Sequence, residues 1–185
     1  MRIIGYHTCK KEGKIEEIEA SGPFWSTHEP DDPAKHKFLG SGYYFWDNNK
    51  GMAHSYGKAT YRRKYYIFEA ELKLTEENFF DLVGNRIHML AFMELVEKFK
   101  ANYEASERWP VGAFIEFLKS KGIFPYKAIR ALDSSIGIRE ITKFDFASQH
   151  DAFTNLSPIY IVCLLELDNT ILTSFKFNTE FPLPK

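Results

Sequence analysis

Apolar and polar residues change their period several times along the chain. Between Tyr61 and Leu74, the residues Tyr66, Phe68, Ala70, Leu72 and Leu74 recur at every second position, while Arg63, Glu69, Glu71 and Lys73 take the other face. That period predicts a half-buried strand. From Arg86 to Lys100 the spacing becomes helical, with Met89, Phe92, Val96 and Phe99 on one face and Glu94 and Lys98 an exposed pair one turn apart. Pro110 can open a further helix that turns Phe114, Phe117 and Leu118 inward and stops at Gly122. Near the start, a short strand ends at His7, and Lys10 to Ala20 reads as a helix with Ile15 and Ile18 inward, closed by Gly22 in a left-handed conformation.

Ser21 to Leu39 is rich in Pro, Asp, His and Ser, which predicts a long surface loop that could act as a lid. Gly40-Ser41-Gly42 then feeds a short aromatic strand through Trp46, and Asn49 to Tyr56 can form a helix ended by Gly57. Further strands are expected at Lys127 to Leu132, Pro158 to Glu166 and Ile171 to Phe177. Strands gather at both ends with helices between them and no regular alternation, so the fold class is α+β rather than a doubly wound parallel sheet. The chain reads as one domain over residues 1–177 followed by an irregular tail over 178–185.

Composition narrows the function classes. Lys and Arg number 24 against 25 Asp and Glu, so a basic partner-binding surface would have to be local rather than global. No stretch reaches the roughly 18 apolar residues of a membrane span, so no membrane partner is expected. Cys9 and Cys163 are too few and too far apart for a disulfide framework. The amino-terminal residues lack the pattern of a secretory signal, which together with the cysteine usage suggests a cytoplasmic protein. Phosphate-loop, dinucleotide-fold, zincin and nucleophile-elbow motifs are missing. The six histidines show no ligand-like pairing, so no metal is expected.

Two segments remain that could carry chemistry. Tyr6-His7-Thr8-Cys9 leads into a helix, and further on Gly40-Ser41-Gly42-Tyr43-Tyr44-Phe45-Trp46-Asp47 leads into Ala53-His54-Ser55-Tyr56-Gly57. In order and spacing these resemble the ADP-ribosyltransferases of the poly(ADP-ribose) polymerase-like, or His-Tyr-Glu, class. Those proteins show a strand ending His-Gly-Thr, a variable loop, Gly-x-Gly-x-Tyr-Phe-x-Asp and a later Ala-x-Tyr. The likeness spans roughly Ile3 to Tyr56, and Phe79-Phe80-Asp81-Leu82 resembles the bacterial relatives. It implies split antiparallel β-sheets with an inserted helical segment.

The resemblance also implies roles. His7 would seat the adenosine ribose of NAD, the ADP-ribose donor. Thr8 would stand where a glycine peptide group holds the nicotinamide carboxamide, and Tyr44 and Tyr56 would sandwich the nicotinamide ring. A polar hydroxyl near the helix would fall at Met52 or Ser55. The class normally carries Glu at the start of a late strand, and here alignment brings Ile159 to that position, or Tyr160 if the register moves by one. Gln149, Asp151, Glu140 and Glu166 are alternative carboxylate or amide sources.

The implied activity is mono-ADP-ribosylation of a protein or nucleic-acid acceptor with release of nicotinamide. A toxin or defence role with a neutralising partner protein would fit compact bacterial relatives. Two other readings are a non-catalytic NAD or ADP-ribose binding module, and a nucleic-acid-binding domain using the basic-aromatic stretch Tyr61-Arg62-Arg63-Lys64-Tyr65-Tyr66.

Overall fold

The computed structural model describes residues 1–32, 35–103, 109–133 and 158–183, together with the backbone of two short strands at 143–145 and 153–155. Four helices are formed by these residues: α1 (Ile15–Ser21), α2 (Lys50–Thr60), α3 (Arg86–Asn102) and α4 (Val111–Ser120). The strands are β1 (Arg2–Lys10), β2 (Tyr43–Asp47), β3 (Tyr65–Lys73), β4 (Phe79–Asp81), β5 (Ala128–Leu132), β6 (Lys143–Asp145), β7 (Phe153–Asn155), β8 (Tyr160–Leu164) and β9 (Leu172–Phe181). The class is α+β, as the clustering of strands predicts.

Seven strands form one sheet in the order β4-β5-β8-β2-β1-β3-β9, antiparallel except for β4 beside β5. A separate hairpin joins β6 to β7. The expected pair of split sheets is thus a single sheet with a weak seam. β1 pairs with β3 from Arg2 to Lys10, yet with β2 only through Gly5 and Tyr6. Beyond Tyr6 the two central strands part, and a cleft opens between them.

Alternation along the strands divides the core. One face carries Ile129, Ala131, Ile161 and Cys163, which pack against Phe99 of α3 and Phe114, Ile115 and Leu118 of α4. Ala53 of α2 covers the same face further along, against Tyr65 and Ile67. On the opposite face Ile3, Phe45, Ala70, Leu72, Val162 and Leu164 cluster without any helical residue, with Tyr43, Leu172 and Phe175 packed against them. α1 covers its edge through Ile18, against Cys9 and Phe68.

Several element ends differ from the expectations. β1 runs on to Lys10, which delays α1 until Ile15, and Gly22 is extended (φ −79°) rather than left-handed. α2 passes through Gly57 to Thr60, because the helix leans on the Tyr65 ring and a Cβ at Gly57 would lie 2.5 Å from it. The strand expected from Tyr61 starts at Tyr65, after a turn. The tail is not irregular from Asn178: β9 continues to Phe181, whose ring stacks on Tyr65 at 5.5 Å, and Pro182 ends it. β4 went unanticipated because three residues carry no readable period.

Candidate functional site

The seam between β1 and β2 is bridged by a side chain where the backbone ladder stops. His7 is buried, and its Nδ1 lies 2.9 Å from the Tyr44 carbonyl oxygen, which can only accept, so Nδ1 carries the proton. The Phe24 N–H donates to Nε2 at 3.4 Å. Burial lowers the His7 pKa and the Tyr44 carbonyl only partly offsets this, so the ring is held neutral in this tautomer.

Thr8 sits beside it on the opposite face and donates its hydroxyl to the Ala53 carbonyl at 2.9 Å, tying β1 to α2. The peptide groups of β1 alternate in direction. Lys11 N–H reaches back to Lys64 on the β3 side, whereas the Ile4 carbonyl accepts from Asn48 on the β2 side. By that alternation Thr8 and Lys10 turn their N–H and C=O groups away from β3, into the gap that β2 has left.

A cleft of about 700 Å³ fills that gap, inside the range of about 300–1,000 Å³ usual for small-molecule sites. Tyr44 forms part of its wall. The Tyr44 hydroxyl donates to the Gly40 carbonyl at 2.5 Å and accepts from the Leu39 N–H at 2.9 Å, and burial drives its pKa far up, so it stays a phenol. Gly40 adopts φ +84°, a conformation only glycine takes without strain, and this aims its carbonyl back at Tyr44. Tyr56 is 40% exposed on the cleft wall, tilted against Trp46 at 6.0 Å and edge-on to Tyr61 at 6.0 Å.

The loop between α1 and β2 is not a loose surface excursion. Ser26 and Gly42 exchange two backbone hydrogen bonds at its neck, and His28 is buried beneath it, accepting from the Lys37 N–H at 2.9 Å. This pinning presents His36, Lys37 and Phe38 to the cleft. Lys37 is half-buried and joins no ion pair among the described residues.

The structure therefore brings His7, Thr8, Tyr44 and Tyr56 together and leaves the other described candidates out. Ser55 is exposed on α2 and outside the cleft wall; Met52 is half-buried and also outside it. Ile159 is also off the wall; its carbonyl accepts the Asp133 N–H at 2.9 Å. Tyr160 lies on the far face near Arg130, and Glu166 pairs with Lys127 at 2.6 Å away from the cleft. Glu140, Gln149 and Asp151 lie outside the described residues.

Two carboxylates line the cleft among the described residues: Glu12, which pairs with Lys10, and Asp133, directly after β5, across the ladder from Ile159 and on the same side of the sheet as Ile161. Asp133 is 8% exposed. Its signal in the sequence was an acid closing a strand. Cys9 also touches the cleft, but burial pushes its thiol up to about 12, so it carries no thiolate at neutral pH.

Behind the site, Arg130 clamps three strands. It binds Asp81 through two nitrogens at 3.0 and 2.8 Å and Asp47 at 3.0 Å, with the rings of Phe79 and Tyr160 beside its guanidinium. This fixes β4, β5 and the end of β2 relative to one another.

The fold and site define an α+β protein with an aromatic-walled cleft at the split of its central strands. No family profile, no characterised protein and no solved structure matches the chain. Among the described residues no helix is long and apolar enough to cross a membrane.

Proposed function

We propose that this protein is an NAD-dependent mono-ADP-ribosyltransferase, which couples ADP-ribose to a protein or nucleic-acid acceptor and releases nicotinamide. The observation that carries the reading is the His7 imidazole spanning the split between β1 and β2, with the Thr8 peptide group and the Tyr44 and Tyr56 rings on one cleft. The planar, positively charged nicotinamide ring of NAD suits aromatic walls, whose faces attract cations, and the carboxamide suits a backbone donor and acceptor side by side.

In the reaction the bond between ribose C1′ and the nicotinamide nitrogen breaks and its electron pair leaves with nicotinamide. The acceptor nucleophile then bonds to C1′ and gives up its proton. On this reading Thr8 orients the carboxamide, Tyr44 and Tyr56 keep the ring dry, and the neutral His7 seats a ribose hydroxyl at Nε2 in place of the long bond from Phe24. Asp133 supplies the negative charge that offsets the developing positive ribose and takes up the acceptor proton. Two free cysteines fit a reducing compartment such as the cytoplasm.

A second reading has its own observation. Both nitrogens of His7 are engaged within the protein, and Ile159 is no carboxylate, which favours a module that binds NAD without cleaving it. One experiment separates them: calorimetry with NAD alongside chromatographic measurement of free nicotinamide in the presence of protein and oligonucleotide acceptors. Nicotinamide release that His7→Ala and Tyr56→Ala abolish supports the transferase. Binding without release supports the module, and no binding overturns both.

A further inference from the structure

The chain as a whole is nearly neutral, at −1, but its charge is unevenly spread. Between Asp47 and Glu69 there are five cations, Lys50, Lys58, Arg62, Arg63 and Lys64, and no carboxylate. This stretch is α2, the following turn and the start of β3. None of the five joins an ion pair among the described residues, whereas the neighbouring Lys10 and Lys11 are paired with Glu12 and Glu180. His54, on the same helix, has its pKa lowered by burial and then by Lys50 and Lys58, so the local field is positive.

The turn itself is unusual. Lys64 N–H donates to the Tyr61 carbonyl at 3.0 Å, and the two central residues, Arg62 and Arg63, have φ of 52° and 65°. Such a turn favours Asn-Gly, because side chains crowd the backbone in the left-handed region. Two arginines are held there instead, both exposed. The same corner holds flat rings: Tyr61 precedes the arginines, packs edge-on to Tyr56, and both line the cleft.

We infer that the α2–β3 corner binds a single-stranded nucleic acid, with phosphates on Lys58, Arg62, Arg63 and Lys64 and a base against Tyr56 and Tyr61 at the cleft mouth. Cations that track a backbone beside rings that stack on bases are what a single strand requires, and a duplex would keep its bases out of reach of the cleft. An acidic protein would use the charge but leave the rings without a planar partner. Resting on the transferase reading, the inference makes nucleic acid the acceptor: a base nitrogen or oxygen bonds to C1′ as nicotinamide departs, and its proton passes to the Asp133 carboxylate.

The test is fluorescence anisotropy without NAD, using labelled single-stranded DNA and RNA of about 12 nucleotides, the matching duplex, and poly-glutamate of equal charge. The informative variant is Arg62→Asn with Arg63→Gly, which removes two charges while giving the turn residues it favours, so its melting temperature holds or rises. Expected are preferential single-strand binding, a log K that falls with log salt by about 0.7 per phosphate engaged, and at least a tenfold loss in the double variant. Tyr56→Ala should weaken binding without changing the salt slope. Unchanged affinity in the folded double variant, equal or tighter binding of duplex, or tight binding of poly-glutamate overturns the inference. Oligonucleotide binding with no nicotinamide release under any acceptor leaves this site standing and removes the transferase reading; release with protein acceptors alone does the reverse.

Discussion

The imidazole of His7 and the carbonyl of Tyr44 are joined at 2.9 Å across the one place where the central strands of the sheet separate. A buried side chain thereby stands in for a missing ladder bond. The opening it leaves is wide enough for a ligand because the strands are held apart, with Thr8 tied to α2 and the Tyr44 hydroxyl tied to Gly40.

The neutral state of His7 should be visible in the stability of the protein. Burial sets its folded pKa below the ordinary 6.5, so below pH 6.5 the unfolded chain binds a proton that the folded chain does not. Its contribution is present above pH 6.5 and is lost as pH falls toward the folded pKa. Denaturant titrations from pH 7.5 to pH 5 (values of about this range bracket the ordinary pKa) should show a steeper loss in the wild type than in His7→Gln. The difference in slope is at most about 1.4 kcal/mol per pH unit. Parallel profiles would mean that folding does not shift the His7 pKa.

Asp133 should matter to chemistry more than to binding. Asp133→Asn keeps the size of the side chain and removes its charge, so NAD affinity should hold while nicotinamide release falls by about 10²–10³-fold, the scale of a lost transition-state contact. Single-turnover kinetics beside calorimetry reads both quantities. An equal loss in both would make Asp133 a ligand anchor only.

Lys37 faces the cleft without an ionic partner among the described residues, from a backbone held by His28 and Gly40. A diphosphate would supply that partner. Lys37→Met should weaken ADP-ribose by about 10–100-fold, as expected for loss of a hydrogen bond to a charged group, and should leave nicotinamide riboside unaffected. Competition calorimetry at two salt concentrations makes the comparison, and equal effects on both ligands would rule the role out.

Arg130 neutralises two buried carboxylates, Asp47 and Asp81, whose side chains are 5% and 9% exposed. Burial alone would raise the Asp81 carboxyl, but hydrogen bonds from Arg130 and from the Gly84 and Val83 backbone bring it below its ordinary value. Arg130→Met leaves those charges without a partner and should cost about 3–5 kcal/mol in denaturant titrations. Restoring neutrality with Asp47→Asn and Asp81→Asn in the same chain should recover part of that loss.

Local pattern was enough for the body of most elements. The alternation from Tyr66 to Leu74 and the helical spacing from Met89 to Phe99 are set by which side of one segment meets the core; the helical spacing lies inside α3 and the alternation inside β3 but for Leu74, one residue past its end. Ends were less legible, since they depend on a distant partner. β9 reaches Phe181 because Tyr65 is there to stack on it, and α2 continues past Gly57 because the bare backbone fits against the same ring.

The site divides the same way. His7, Thr8, Tyr44 and Tyr56 could be singled out through the resemblance of their motifs to the ADP-ribosyltransferases, as β1, β2 and α2 are contributed by one early stretch and each motif is short and local. Asp133 could not, because it comes from a strand far along the sequence. It meets the cleft only through the pairing of β5 with β8 and of β8 with β2. Ser55 fell outside the cleft for the converse reason: the helical turn that brings Tyr56 to the wall points its neighbour at solvent. The sequence by itself determined the class of fold and the residue types at the seam, both of which follow from short-range period and composition. The tertiary structure decided where the sheet splits and that Asp133, from far along the chain, faces the opening, since those are distances between segments that only packing brings together.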